Sequence, residues 1–172
     1  MLKKREHLET MMMLALLLAM QILLSRFFSI TALSQKIGFS FLPVFLAARR
    51  NGIPGAVFVG GVGDLIGALA FPVGPYFFGF TVTAALGGVL YGAFFKRSVS
   101  WLSIIAAVVL FQIFGSLMLN TVWLSMMLGK GFWILLPGRV MQAVIMVPVQ
   151  VVVGGLFLRR QAVNRLLHQT AV

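Results

Sequence analysis

The stretch Leu119–Arg139, LNTVWLSMMLGKGFWILLPGR, sets an asparagine, two tryptophans, a lysine and an arginine between two hydrophobic runs. Polar and aromatic groups crowd one short segment, while the sequence on both sides is built to live in lipid. A segment of that kind is where a membrane protein can meet a solute. The rest of the chain agrees with the lipid reading. Of its 172 residues 60% are hydrophobic and 10% charged, and the mean hydropathy is +1.04. A water-soluble domain of that composition would expose large apolar patches. The chain reads as an integral membrane protein.

Composition also excludes chemistry. There is no cysteine, so no disulfide framework, thiolate metal site or cysteine nucleophile is available. The two histidines, His7 and His168, lie near the chain ends, outside the apolar runs. No metal and no cofactor is expected. The net charge of +11 would suggest nucleic acid in a soluble protein. Here the cations cluster between apolar runs, where they set orientation in the bilayer, and no nucleic-acid partner is expected. The N-terminus MLKKREHLET resembles the start of a signal peptide, but no small-residue cleavage site follows, so the first apolar run is kept as a membrane helix.

Spanning a bilayer takes roughly 20 apolar residues as a helix. Six runs qualify, at about 10–25, 37–49, 53–71, 75–95, 100–122 and 137–158. The second is short and interrupted by Pro43, whereas Pro54, Pro75 and Pro137 sit near the starts of runs, where a missing N–H matters little. The expected fold is therefore all-α, a single domain over residues 1–172 forming a bundle of six transmembrane helices. Six spans place both termini on one side. That side then holds ten of the 14 Lys and Arg residues, in clusters at Lys3–Arg5, Arg49–Arg50, Lys96–Arg97 and Arg159–Arg165. The bias makes both termini cytoplasmic. Arg26, Lys36, Lys130 and Arg139 remain on the outer side, where the same rule predicts few cations.

Those four cations suggest a site for an anionic solute, because guanidinium pairs bidentately with carboxylate or phosphate; snorkelling to headgroups is the competing reading for Arg26 and Arg139. Asp64, in GGVGDLIGAL, is the single acid inside a run. It must face protein or water, as a ligand contact or as a structural partner of an arginine. Asn120 and Trp123 are three residues apart and share a helical face, offering a hydrogen-bonding amide beside a stacking plane. Trp101 and Trp133 fit an interfacial belt. Thr81, with Gly74 and Gly79, could line a cavity near the outer end of the fourth run, while Thr83 is expected to bond its own helix backbone. Ala15 and Ala19 form a small-xxx-small pair suited either to intramolecular packing or to docking another membrane subunit. The chain has no Walker A motif, no H-E-x-x-H, no G-x-S-x-G and no pair of acids able to hold Mg²⁺, so it can bind a solute but cannot itself spend ATP.

Over nearly its whole length the chain resembles the S components of energy-coupling factor (ECF) transporters, specifically the folate branch. The residues that carry the likeness are Ala15 and Ala19, Arg26 in LLSRFFSI, GDLIGAL around Asp64, PYFFGFTVTAALGGVLYG from Pro75, and LNTVWLSMMLGKGFWILLPGRVMQAVIMVPVQ from Leu119 to Gln150. The resemblance implies a non-enzymatic, vitamin-capturing subunit of a prokaryotic plasma membrane that partners a transmembrane coupling protein and two cytosolic ATPases, with Ala15 and Ala19 as the docking motif. Folate or a folate derivative is the implied ligand. Trp123 would stack on one of its aromatic parts, Asn120 or Asp64 would read a pterin edge, and Arg26 or Arg139 would hold a carboxylate or carbonyl. The loop FFSITALSQK, Phe27 to Lys36, would close over the site, with Phe27, Phe28 and Leu33 as its apolar lid. A thiamine- or queuosine-type vitamin is the alternative ligand; thiamine is a cation and would want more acids than Asp64. A small membrane enzyme using Asp64 would need partner carboxylates, which Glu6 and Glu9 at the opposite end cannot supply, and a channel or structural protein would not be stabilised by ligand.

Overall fold

The computed structural model describes residues 2–32, 35–72, 76–97 and 99–170, with side chains described in those ranges except at 2–3, 30–32, 35–37, 97 and 161–170. Five helices form the framework: α1 Leu2–Arg26, α2 Phe41–Ala70, α3 Phe78–Arg97, α4 Trp101–Leu128 and α5 Phe132–Thr170. Each is long and apolar enough to cross a membrane. Their outer surfaces carry bare aliphatic and aromatic side chains such as Leu16, Leu69, Leu102 and Trp133, as lipid-facing surfaces do. The protein is a multi-pass membrane protein.

One expectation needs correcting. The chain between α1 and α2 is not a plain loop, since Ser29–Ala32 (β1) pairs antiparallel with Gln35–Gly38 (β2). The expected second run thus begins inside a hairpin, and Leu33 lies outside the described residues. Its Ser-Ile-Thr-Ala and Gln-Lys-Ile-Gly alternation is too short to register as strand against a hydropathy reading. The expected runs at 37–49 and 53–71 correspond to the two limbs of α2, which breaks between them at Gly52 (φ 67, ψ −148). That left-handed backbone favours glycine, and the chain reverses there: a Cβ on Gly60 would lie 3.7 Å from the Val44 methyls, although straight helix would separate them by about 24 Å. Pro43 falls in the first turn of α2 and Pro54 just after the break, both places where a missing N–H is harmless.

The opening stretch also proves more helical than its polarity suggests. α4 continues past residue 122 to Leu128, and α5 starts at Phe132 rather than 137. Gly129, with φ 63 and ψ 18, ends α4 in the left-handed conformation that closes many helices. The two helices therefore form a tight antiparallel hairpin.

Small residues let the helices touch backbone to backbone. A Cβ on Gly88 would lie 2.7 Å from the Ala56 carbonyl group, and one on Gly92 would lie 2.5 Å from the Ile53 Cα. This seam fixes α3 against the second limb of α2. Beside it, Phe45, Tyr91 and Phe95 pack with ring centroids 4.6–5.7 Å apart. Together with Ile104, Val108 and Leu158 they form the apolar core at the end of the bundle nearer the termini. The other half of the bundle is left open around a cavity.

Candidate functional site

The cavity has a volume of about 550 Å³ and is bounded by all five helices, with Gly38 and Ser40 of the hairpin region at its rim. That is the size of a site for a small organic ligand. Two of its helices carry π-helical turns, Phe58–Val62 in α2 and Phe111–Leu119 in α4. Such turns widen a helix and often occur at functional sites. Here they bring Gly60, Phe111, Gln112 and Ser116 to the cavity wall.

Arg26, the last residue of α1, reaches Asp64 of α2. Its Nη2 donates to Asp64 Oδ1 at 3.4 Å and to the Asp64 backbone oxygen at 3.2 Å. The other carboxylate oxygen accepts from Thr81 Oγ1 at 2.8 Å, and Thr81 Oγ1 lies 2.7 Å from the Tyr76 hydroxyl. Gly67 gives the arginine its room, because a Cβ there would lie 2.9 Å from Arg26 Nε. Arg26 and Asp64 are thus a charge-compensated pair lining the cavity, with Thr81 as second support of the carboxylate.

Arg139 stands differently. It is only 7% exposed, and its Nη1 donates to Gln142 Oε1 at 2.9 Å while Nη2 donates to the Asn120 backbone oxygen at 3.4 Å. Both acceptors are neutral, and among the described residues Arg139 Nε, like Arg26 Nε, has no partner. Among the described residues no carboxylate pairs with it. A buried guanidinium without a counter-charge is costly, and it lines the cavity beside Asn120, whose Oδ1 also lacks a partner among the described residues.

Trp123 packs behind this wall. Its Nε1 donates to Thr83 Oγ1 at 3.1 Å, and Thr83 Oγ1 in turn donates to the Gly79 backbone oxygen at 3.1 Å. The indole fills the space above Gly79, where a Cβ would lie 2.5 Å from its Cδ2, and its ring sits 5.6 Å from that of Phe77. Trp123 therefore ties α4 to α3, and neither it nor Thr81 is part of the cavity lining. The structure brings Arg26, Asp64, Asn120 and Arg139 to one cavity. It leaves Lys130 exposed on the turn, and the side chain of Lys36 is outside the described residues.

Phe27 and Phe28 are exposed beside the hairpin, Phe27 meeting Phe71 edge-on at 5.4 Å. Ala15 and Ala19 lie on an uncovered face of α1, next to exposed Met11, Met12 and Leu16. Among the described residues no group of His, Cys, Asp and Glu could hold a metal.

The sequence reading missed the amides. Gln21, Gln112, Gln142 and Gln150 all line the cavity, each at least nine-tenths buried. The signal was present: an amide inside a membrane span is expensive unless it faces protein or ligand.

Comparison with known proteins places this geometry. The model of the "ECF transporter, substrate-specific component" family matches residues 9–154. The chain belongs to that family. Its members are substrate-specific parts of transporters, not enzymes. The chain is 35% identical over 144 residues to the folate transporter FolT of Clostridium novyi (strain NT), covering 83% of this chain and 84% of that protein. It is 31% identical over 159 residues to FolT of Leuconostoc mesenteroides, covering 88% and 85%. The crystal structure of a FolT bound with folic acid superposes with a TM-score of 0.80 at 33% identity, covering 87% of this chain and 92% of that one. The ECF component described here thus shares fold and length with these relatives.

Proposed function

We propose that this ECF component is the folate-binding subunit of an importer in the prokaryotic cell membrane, capturing folate or a folate derivative on the outer face. The observation that carries the reading is Arg139: a buried cation with neutral partners, facing a cavity of ligand size. A ligand with carboxylates or a ring carbonyl completes that group, whereas a cationic vitamin such as thiamine would meet it with repulsion. The likeness to FolT proteins supports folate as that ligand.

In this reading Arg139 is the anchor for the ligand's anionic or carbonyl oxygen, since Arg26 already has Asp64. Asn120 reads ring N–H and carbonyl groups, Asp64 accepts from ring N–H through the lone pairs that Arg26 and Thr81 leave, and Trp123 fixes the wall behind them. Phe27 and Phe28 close the mouth. Residues 1–172 act as one domain with six membrane segments, α2 counting as two because it reverses at Gly52, and the skew of basic residues supports both termini in the cytoplasm. Delivery inward uses a transmembrane coupling protein, docked on the Ala15 and Ala19 face, and two cytosolic ATPases.

The test is binding of tritiated folic acid to purified, folded protein, with thiamine, riboflavin, biotin and a queuosine-type base as competitors. Sub-micromolar binding displaced by unlabelled folic acid alone is expected. Displacement by another of these vitamins at lower concentration than folic acid would overturn the substrate.

A further inference from the structure

At the end of the bundle nearer the termini, where the second limb of α2 meets α3, a groove of about 340 Å³ opens on the surface. It is lined by Ile53 and Pro54 of α2 and by Gly92, Ala93 and Lys96 of α3. None of these residues lines the ligand cavity. The floor is backbone, because a Cβ on Gly92 would lie 2.5 Å from Ile53 Cα and 2.6 Å from Ile53 N. The walls are apolar and uncovered: Ile53, Pro54 and Ala93 are all exposed.

Lys96 closes one end of the groove. It is the last residue of the apolar span Phe78–Lys96, so it stands where hydrocarbon gives way to headgroups. Its stem rests against Gly52, where a Cβ would lie 2.7 Å from Lys96 Cδ and 3.5 Å from Nζ. The glycine at the α2 break therefore also leaves the notch that sets the ammonium beside the groove. Among the described residues Lys96 Nζ has neither a hydrogen bond nor an ion pair. The carbonyls at a helix C-terminus repel anions, but here Arg49 covers them: its Nη1 donates to the Phe95 oxygen at 3.2 Å and to the Lys96 oxygen at 3.4 Å. Two cations thus meet at the mouth of an apolar groove. The chain has only three acids, and among the described residues none pairs with either cation.

We infer that this groove binds one anionic phospholipid of the surrounding bilayer, with the phosphate at Lys96 and Arg49 and the upper part of an acyl chain against Ile53, Pro54 and Ala93. The chemistry selects that occupant. Exposed apolar walls in a membrane protein take hydrocarbon, and cations at headgroup level attract an anionic lipid. A free phosphate would answer the charge and leave the groove unfilled, and a zwitterionic lipid would bring a further cation to the two already there. A lysine that only snorkels extends its stem toward the headgroups, whereas the stem of Lys96 is seated in the Gly52 notch. The site is separate from the ligand cavity and does not depend on which vitamin the cavity holds.

The test uses the full-length protein in detergent, titrated with phosphatidylglycerol or with phosphatidylcholine of the same acyl chains. Native mass spectrometry counts bound lipid, and thermal melting gives the stabilisation that binding adds. One phosphatidylglycerol per protein is expected, bound more tightly than phosphatidylcholine. Lys96→Gln should weaken it roughly fivefold, equivalent to about 1 kcal/mol. Ala93→Leu and Ala93→Phe fill the groove in two steps with the charge unchanged, and should weaken phosphatidylglycerol in that order. Lys4→Gln removes an exposed cation of α1 outside the groove and should leave binding within twofold of wild type. A Lys4→Gln loss equal to that of Lys96→Gln, with the Ala93 variants unaffected, would reduce the site to diffuse surface attraction and overturn the inference. Equal binding of the two lipids would overturn it too, as would displacement of phosphatidylglycerol by soluble glycerol phosphate. So would a wild type that binds no lipid there but loses a co-purifying membrane protein on Ala93→Phe, which would give the groove to a protein partner.

Discussion

Replacing Arg139 by glutamine should uncouple affinity from stability. The residue is 7% exposed and its guanidinium is bonded to two neutral oxygens, Gln142 Oε1 at 2.9 Å and the Asn120 carbonyl at 3.4 Å, with Nε unpaired among the described residues. Its removal deletes an uncompensated charge and one unsatisfied donor, and the shorter amide still reaches toward Gln142. The empty protein is expected to melt at or above the wild-type temperature in detergent. Binding behaves oppositely. A hydrogen bond to a charged group contributes about 1.5–3 kcal/mol, so folic acid affinity should fall roughly 10- to 150-fold. Arg26→Gln gives the contrast, because Arg26 compensates Asp64 at 3.4 Å. Breaking that pair strands a carboxylate and should lower the melting temperature of the empty protein, by less than a fully buried pair would because the two side chains are 12% and 21% exposed. The assay is differential scanning of empty and folic-acid-saturated protein with calorimetric affinities for both variants. Arg139→Gln protein that melts well below wild type and still binds within threefold would refute the assignment of Arg139 as the ligand's anchor.

Three further predictions follow from the packing. Gly88→Leu drives a side chain into the Ala56 carbonyl, 2.7 Å from its Cβ, and should abolish folded protein in size-exclusion chromatography, while Val89→Leu on the exposed side of the same helix should not. Trp123→Phe loses the 3.1 Å bond to Thr83 and should cost about 1 kcal/mol of stability; if Trp123 acts from behind the wall, folic acid affinity falls less than tenfold, whereas Trp123→Ala, which empties the space over Gly79, weakens it by tenfold or more. Ala15→Leu with Ala19→Leu should prevent co-purification of the coupling protein at unchanged folic acid affinity, and an intact complex would remove the docking assignment.

Much of the framework was legible because lipid enforces it: apolar length and the small-residue seams are written in composition. What escaped were features set by backbone geometry. Gly52 reverses α2 through a positive φ, which hydropathy registers only as a dip between two runs. The stretch from Asn120 to Leu128 stays helical despite its polar residues because helix continuation depends on backbone hydrogen bonds, and only Gly129 stops it. Among the site residues, Arg26, Asp64, Asn120 and Arg139 stood out by charge or by position, but the spacing that joined Trp123 to Asn120 could not say which side of the wall each would take. Asn120 turns to the cavity and Trp123 to Thr83. The glutamines were passed over because each sits alone in an apolar run, although isolation in lipid is what makes an amide informative.

The two arginines also explain why binding and stability are linked in this fold. Arg26 is neutralised within the protein, so the ends of α1, α2 and α3 farther from the chain termini are held together by Asp64 and Thr81 whether or not ligand is present. Among the described residues, unpaired polar atoms occur on α1 and α3 as well as on α4 and α5, but of the two cavity arginines only Arg139, on α5, lacks a counter-charge, and it lies against Asn120 of α4. An anionic or carbonyl ligand group therefore adds most where the charge has no internal partner, at Arg139 between α4 and α5. By mass action a saturating ligand at about a thousand times its dissociation constant adds roughly 4 kcal/mol. Hydrogen exchange should show that gain concentrated in α4 and α5 around Gln112, Asn120 and Arg139, with little change around Arg26 and Asp64. Uniform protection across all five helices would mean that the uncompensated charge at Arg139 does not direct where ligand stabilises the bundle.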